Sequence, residues 1–395
     1  MSFNISMSGL KAFKQELGVH ANNIANASTV GFKGARAEFS AVYNGKEGGG
    51  VSISGITQNH DTSGSILGTG RSLDVAIAGS GFFVTKDSNG QQQYSRSGMF
   101  GMNANGSMVD SNGNLLQGYS VDANGNIMQG TITDINVSNS ALNARATDNV
   151  DFLANLDANA EDIDMVATPF DPSDPKTYTN SYTTPVYDSL GNEHIVTQYF
   201  VKTGPNTYEV IAQTDGATIG NTTLNFDTDG SLLTGGNFNA SFPAPGADPV
   251  SIDFNLDKIT QFGSSFTVTD NSANGYTSGE FNSVYIEEDG SVIATYSNGQ
   301  TQVQGQIILA SFPSNAGLQA VSGTSWQQTY SSGAPIFGTA GVGVLGNLVG
   351  GAVESSNVDT TESMIGLMET QQNYQANTKS IQAQNSIAQT LMQVF

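Results

Sequence analysis

Residues 359–395, DTTESMIGLMETQQNYQANTKSIQAQNSIAQTLMQVF, place Leu367, Tyr374, Ile381, Ala388 and Phe395 at intervals of seven. An apolar stripe of that period is a helical seam, because 3.5 residues per turn keeps one face of a coiled helix toward a partner. A matching stripe opens the chain: Phe3, Leu10, Leu17 and Ile24 keep the interval, with Phe13 and Ala27 at the neighbouring position. One seam at each end predicts that the termini pair as a coiled coil and that everything between them is a long excursion. Opposite the Leu367 series stand Met364, Gln371, Thr378, Asn385 and Met392. Polar residues there weaken a seam while fixing its register. Asp359 can cap the last helix by accepting from free N–H groups near Glu362. Gly9 and Gly18 each cost the first helix about 1 kcal/mol relative to Ala, so it is expected to form fully only against a partner.

Charge narrows the function classes. Of 395 residues 12% are charged and the net charge is −22, which argues against nucleic-acid binding, where clustered Lys and Arg are needed. Much of the acid lies in the middle, at Asp148, Asp164, Asp227, Asp253 and Glu280, with Lys176, Lys202 and Lys258 among it. Cysteine is absent, so no disulfide framework, thiol nucleophile or thiolate metal site is available. No apolar run is long enough for membrane insertion. The opening MSFNISMSGLKAF lacks a basic start, an apolar core and a cleavage site, so residence in the cytoplasm or export without a cleaved Sec signal is expected.

Between the helices the pattern is β. Residues 34–50 carry isolated Phe39 and Tyr43 and end in a Gly run, as an extended linker would. Apolar alternation then appears in SLDVAIAGSGFFVTKD, residues 72–87, and Asn-Gly pairs at 89, 105, 112 and 124 mark hairpin turns. From about 146 to 282 an acidic segment offers strands at Ile195–Lys202, Tyr208–Gln213 and Ser265–Thr269, an inserted domain with its own core. Turn-punctuated strands resume at Ser283, and Trp326 is expected as a core or interface anchor. The fold class is therefore mainly β, α+β overall: two β-domains nested between terminal helices. The expected divisions are 1–32 N-terminal helix, 33–70 linker, 71–145 first half of a β-domain, 146–282 inserted outer domain, 283–340 second half, 341–358 return linker and 359–395 C-terminal helix.

Motifs for small-molecule chemistry lack their context. Gly341, Gly343 and Gly346 match a dinucleotide fingerprint, but no strand-then-helix unit encloses them. Asp227, Asp229 and Gly230 hint at a calcium loop, although the further oxygen ligands are missing and hairpin turns account for the pattern. His20, His60 and His194 are scattered, with no paired nucleophile. No catalytic, metal or cofactor residue is assigned and no enzyme is expected. His20 lies on the first seam, where protonation would disfavour packing and loosen assembly in mild acid.

The stretch ANNIANASTVGFK, residues 21–33, closely resembles the signature of the bacterial flagellar axial proteins, the rod, hook and hook-associated subunits. Asn22, Asn23, Ala25, Asn26, Thr29, Gly31, Phe32 and Lys33 carry the likeness. LDVAIAGSGFF at 73–83 resembles the first β-domain of the hook and rod subunits, and SNVD at 356–359 with YQAN at 374–377 resembles the C-terminal counterpart of the signature. Within the family, the large inserted domain points to the hook rather than the rod. The resemblance implies a structural subunit of the extracellular bacterial flagellum. It would be exported by the flagellar type III apparatus and stacked into a curved, flexible helical tube that transmits motor torque to the filament. Implied partners are copies of itself, the rod, the hook cap and the hook-filament junction proteins. The assembly interface is then expected at Phe3, Leu10, Phe13, Leu17, Ile24, Asn22, Asn23, Asn26, Leu367, Tyr374, Ile381, Ala388, Met392 and Phe395. The competing readings are another axial protein, such as the distal rod, and a secreted adhesin with dimerising ends. Removing 1–31 and 359–395 distinguishes subunit from adhesin: the truncated chain should be a folded monomer in ultracentrifugation that forms no polymer, whereas an adhesin would keep its ligand binding.

Overall fold

The computed structural model describes residues 2–44, 47–122 and 125–394. The chain divides into two units: Met1–Asn139 with Ser283–Ala294 and Thr301–Phe395, and Ser140–Asn282 with Thr295–Gln300. The first unit contains both terminal helices, α1 (Ser2–Ala25) and α2 (Thr360–Val394). No helix among the described residues is long and apolar enough to cross a membrane.

The β part of the first unit is assembled from sequence on both sides of the insertion. Strand Thr301–Ser311 pairs antiparallel with Phe82–Lys86 through Leu309 and Phe83, and with Leu115–Val121 through Ile307 and Gly118. Phe82, Val84, Tyr94, Ile308, Ala310, Phe312 and Trp326 share one buried cluster. The Asn-Gly turns at 89, 105 and 112 close hairpins, and Asn124 of the fourth pair lies outside the described residues. At 110–114 the Asp110 carboxylate accepts from the Asn112 and Asn114 N–H groups at 2.8 and 2.9 Å, and Gly113 supplies a φ of +85°. The same use of the carboxylate occurs at Asp87 and Asp188. Asp229 likewise accepts from Ser231, so the Asp-rich loop at 227–231 is a closed hairpin turn. Gly341–Gly346 is a loop between strands Ile336–Thr339 and Asn347–Gly350.

One element departs from expectation. Within the segment read as linker, β1 (Ala35–Asn44) and β2 (Glu47–Gln58) pair antiparallel from Ala35 opposite Gln58 outward. Register shifts at Glu38/Phe39 and Val42/Tyr43 break the period-two pattern, which hides the hairpin from a search for alternation.

The second unit stacks two sheets. Asn180–Tyr187, Glu193–Gly204, Thr207–Thr214, Ala217–Phe226 and Leu232–Thr234 follow one another as antiparallel neighbours. In the other sheet Asn149–Asp157 runs parallel to Val250–Asn255 and Thr260–Phe262 and antiparallel to Thr267–Ala273. Val150, Phe152, Ala154 and Leu156 point inward from alternate positions, as do Val250, Ile252 and Phe254. They meet Val186, Val196, Phe200, Ala212 and Val210 from the facing sheet. An aromatic removed from such packing leaves a cavity that close-packed neighbours cannot fill. Phe254→Ala should therefore lower the stability of this unit by about 3–5 kcal/mol, read as a shifted denaturant midpoint in tyrosine fluorescence.

Candidate assembly site

The terminal helices run antiparallel. Ser6 Oγ lies 3.1 Å from Ser380 Oγ and accepts from Gln384 Nε2 at 3.5 Å, Gly9 lies against Asn377, and His20 lies against Gly366. Among the described residues, those buried on α1 are Ser6, Gly9, Ala12, Val19 and Asn23, and those buried on α2 are Ser363 and Thr370. Close approach is the reason for small residues here. A Cβ on Gly366 would stand 2.5 Å from His20 Cε1. Asp359 caps α2 by accepting from the Thr361 and Glu362 N–H groups at 2.7 and 3.1 Å.

This seam has the expected period and a different phase. Leu10, Phe13, Leu17 and Ile24 are half-covered and Phe3 is exposed. Leu367, Tyr374 and Ile381 flank the contact half-covered, Ala388 and Met392 are exposed, and Phe395 lies outside the described residues. Asn22 is exposed, Asn23 buried and Asn26 half-covered. The polar inner positions are Ser363, Thr370, Asn377 and Gln384, one residue before the expected Met364, Gln371, Thr378 and Asn385. A step of one residue rotates a side chain by about 100° around the helix. The hydrogen-bonding and small residues thus meet inside the pair, and the apolar ones are turned toward its flanks and outside. His20 is half-covered, in a cleft that Phe13, Phe39 and Ile365 share with acidic side chains. Its Nε2 is 4.0 Å from Glu16 Oε1, and Glu362 and Glu369 line the same cleft.

Hairpin β1–β2 lies along α1, with Phe39 against Phe13 at 5.8 Å and the Val51 N–H donating to Ser8 Oγ at 3.1 Å. A two-stranded ribbon is marginal alone, so the helix supplies its apolar face.

The segment after α1 does the joining. Asn23 donates Nδ2 to the Ala35 carbonyl at 2.7 Å and accepts the Ala35 N–H at 2.9 Å, which fastens the outgoing chain to the helix. Thr29 donates to Asn26 Oδ1, and Asn26 donates to the Asn22 carbonyl. Gly31, at φ +70°, presses so close to the β-domain that a Cβ would stand 2.5 Å from the Ser97 nitrogen. Two residues later Lys33 is 1% exposed. Its Nζ donates to Glu354 Oε1 at 2.7 Å and to the Thr62 carbonyl at 3.0 Å. Glu354, fully buried, also accepts from Gly64 N–H at 2.9 Å and from Arg96 at 3.1 Å. Burial pulls both cations' pKa down, and the Glu354 carboxylate opposes that shift. Asn357 crosses the same gap, accepting from Gly34 N–H and donating to Asn59 and Thr62 carbonyls. Sequence reading named Lys33 through the signature but missed Glu354 and Arg96. Their only local signal was a charge set among apolar and small neighbours.

Four family models match the chain. They are Flagella basal body rod protein at 3–33, Flagellar hook protein FlgE/F/G D1 domain at 76–149, Flagellar basal body protein FlaE D2 domain at 155–276 and Flagellar basal body rod FlgEFG protein C-terminal at 349–394. The chain is 39% identical over 402 residues to the flagellar hook protein FlgE of Escherichia coli (strain K12), covering 99% of each chain. It is 32% identical over 406 residues to that of Rhizobium meliloti (strain 1021), covering 98% of this chain and 97% of the other. The crystal structure of Helicobacter pylori flagellar hook protein FlgE2 shares the fold, with a TM-score of 0.56 at 12% identity over 71% of this chain and 98% of that one.

His60 reports on the joint. It packs edge-on against Trp326 and Phe82, and burial, reinforced by Lys33 and Arg96, lowers its pKa to about 4. The unfolded chain takes that proton near 6.5, so between the two values it binds more protons than the folded chain, and stability falls as pH drops from about 6.5 to about 4. The loss should reach roughly 2–3 kcal/mol. Denaturant titrations at pH 7 and 4.5 should show it in the wild type and show a smaller difference in His60→Gln.

Proposed function

Because this chain belongs to the flagellar hook protein family, we propose that it polymerises through its paired terminal helices into the curved, flexible tube of the bacterial flagellar hook, which carries motor torque to the filament. The observation that carries the assembly reading is the inverted character of the helix pair. Ser, Gly, Thr, Asn and Gln residues face each other, whereas Ile365 and Met368 are 57% and 54% exposed and Phe3, Ile5, Met7, Ile387 and Met392 are exposed as well. Apolar surface left uncovered on paired helices marks a place where further protein is to be covered or bound. In the assembled tube, Phe3, Leu10, Phe13, Leu17, Ile24, Leu367, Tyr374, Ile381, Ala388 and Met392 would complete their burial against neighbouring copies.

The division of labour follows from the same contrast. The helical ends, 1–32 and 359–395, would form the inner tube, and the β-domains would stand outside it. Subunits stacked head to tail through different patches give an open helical array. Outer surfaces rich in Asn, Ser and Thr exchange protein and water hydrogen bonds at small net cost, which suits contacts that must slide as the tube bends. Rod, cap and junction proteins would meet the two ends of the array, and the type III apparatus would deliver the chain.

Charge placed on the exposed α2 stripe tests this directly. Ile365→Glu with Met368→Glu should leave the melting of the β-domains within about 0.5 kcal/mol of wild type, since surface substitutions rarely do more. The same variant should form no tubes by negative-stain electron microscopy under conditions where wild type does. Tubes of normal length from the double variant would contradict the proposal.

A further inference from the structure

The backbone links the helix pair to the β-domain through the outgoing 26–34, which continues past hairpin β1–β2 as 59–65, and through the returning 351–359. Two strands joined only by covalent backbone act as a swivel, since each can rotate about its own single bonds. Cross-tied strands resist twisting. Here the ties converge on one side chain. Glu354 on the return segment holds Lys33 on the outgoing segment with one oxygen and Arg96 of the β-domain with the other. Its backbone carbonyl also accepts the Gly31 N–H at 2.8 Å. All three charges are at most 3% exposed. In that setting each loses water it cannot regain without opening the joint, so the contacts do not exchange with solvent as surface ion pairs do. Arg96 is further seated over the Phe82 ring at 5.4 Å, and Phe82 touches Trp326 in the β core.

We propose that Glu354, with Lys33 and Arg96, is the torsional pin of the subunit: the positioning group that locks the two crossing strands to the β-domain so that twist applied to the helices reaches the outer domains. This rests on the hook reading above, and the test separates the two, because assembly and stiffness are scored independently. The variants are Glu354→Gln, which keeps the shape and one acceptor oxygen but removes the charge and turns the other acceptor into a donor, and Arg36→Ala, which removes an exposed ion pair on hairpin β1–β2.

Hooks bearing each variant are imaged for assembly, and their torsional stiffness is read from the angular fluctuations of a bead tethered through a single hook. Glu354→Gln hooks should assemble and twist severalfold more softly, and Arg36→Ala hooks should match wild type. A role confined to folding would lower the melting temperature and leave the torsional constant of assembled hooks unchanged, and that result overturns the pin. Equal softening by Arg36→Ala overturns it too. Should Glu354→Gln yield no hooks, Arg96→Lys decides in the same assay, since it keeps the charge but loses the planar guanidinium contact: softening supports the pin and wild-type stiffness rejects it. Loss of tubes in Ile365→Glu with Met368→Glu bears on the assembly reading alone.

Discussion

One carboxylate shared by two buried cations fixes how the ends of this chain relate to its β-domain. A buried charge without a partner is strongly unfavourable, so Lys33, Arg96 and Glu354 hold one another in place more firmly than their positions in sequence suggest. The consequence spreads outward. Gly31 must approach the Arg96–Ser97 backbone for Lys33 to reach Glu354, and Gly64 must approach the return strand, where a Cβ would stand 1.9 Å from the Ser355 carbonyl oxygen. The residues that close the opening motif are therefore shaped by the joint. Helix α1 ends at Ala25, yet the motif continues to Lys33 because the crossing, and not the helix, sets those positions.

Much of the architecture is legible in the sequence because its physical causes are local. Short apolar runs such as Phe82–Lys86 and turns built on Asp, Asn and Gly specify hairpins without knowledge of distant partners. Legibility stops where the cause is distant. Asn149–Asp157 has two parallel neighbours about a hundred residues away, and nothing near it announces that pairing. Lys33 and Glu354 are separated by 321 positions and Arg96 and Glu354 by 258, so the joint could be read only after folding. The family signature named Lys33 as a position that matters and left its chemistry unstated.

The helices show a subtler limit. An apolar repeat of seven gives the period of a seam correctly but assumes that the apolar face is the one turned toward the partner in the same chain. Here Ser6, Gly9, Ser380 and Asn377 take that face, because helices in close approach leave room for small side chains and let polar ones bond across the gap. The apolar repeat describes surfaces that the chain alone does not finish covering.

That difference divides the molecule by where its apolar surface goes. In the inserted unit Phe152, Phe200, Tyr208 and Phe254 are enclosed by the unit's own two sheets, so folding and burial are completed together. Among the described residues of α2 no large apolar side chain is buried, and the seam of the helix pair is made largely of small residues and hydrogen bonds, each bond of small net value in water. A pair of this kind is poorly stabilised by itself and gains most when neighbours cover its outer faces. The joint reconciles the two regimes. It anchors the marginal helices to the β part of their own unit, around Phe82 and Trp326, so that what assembly adds to the helices is passed to the β-domain through a fixed connection rather than lost in a swivel.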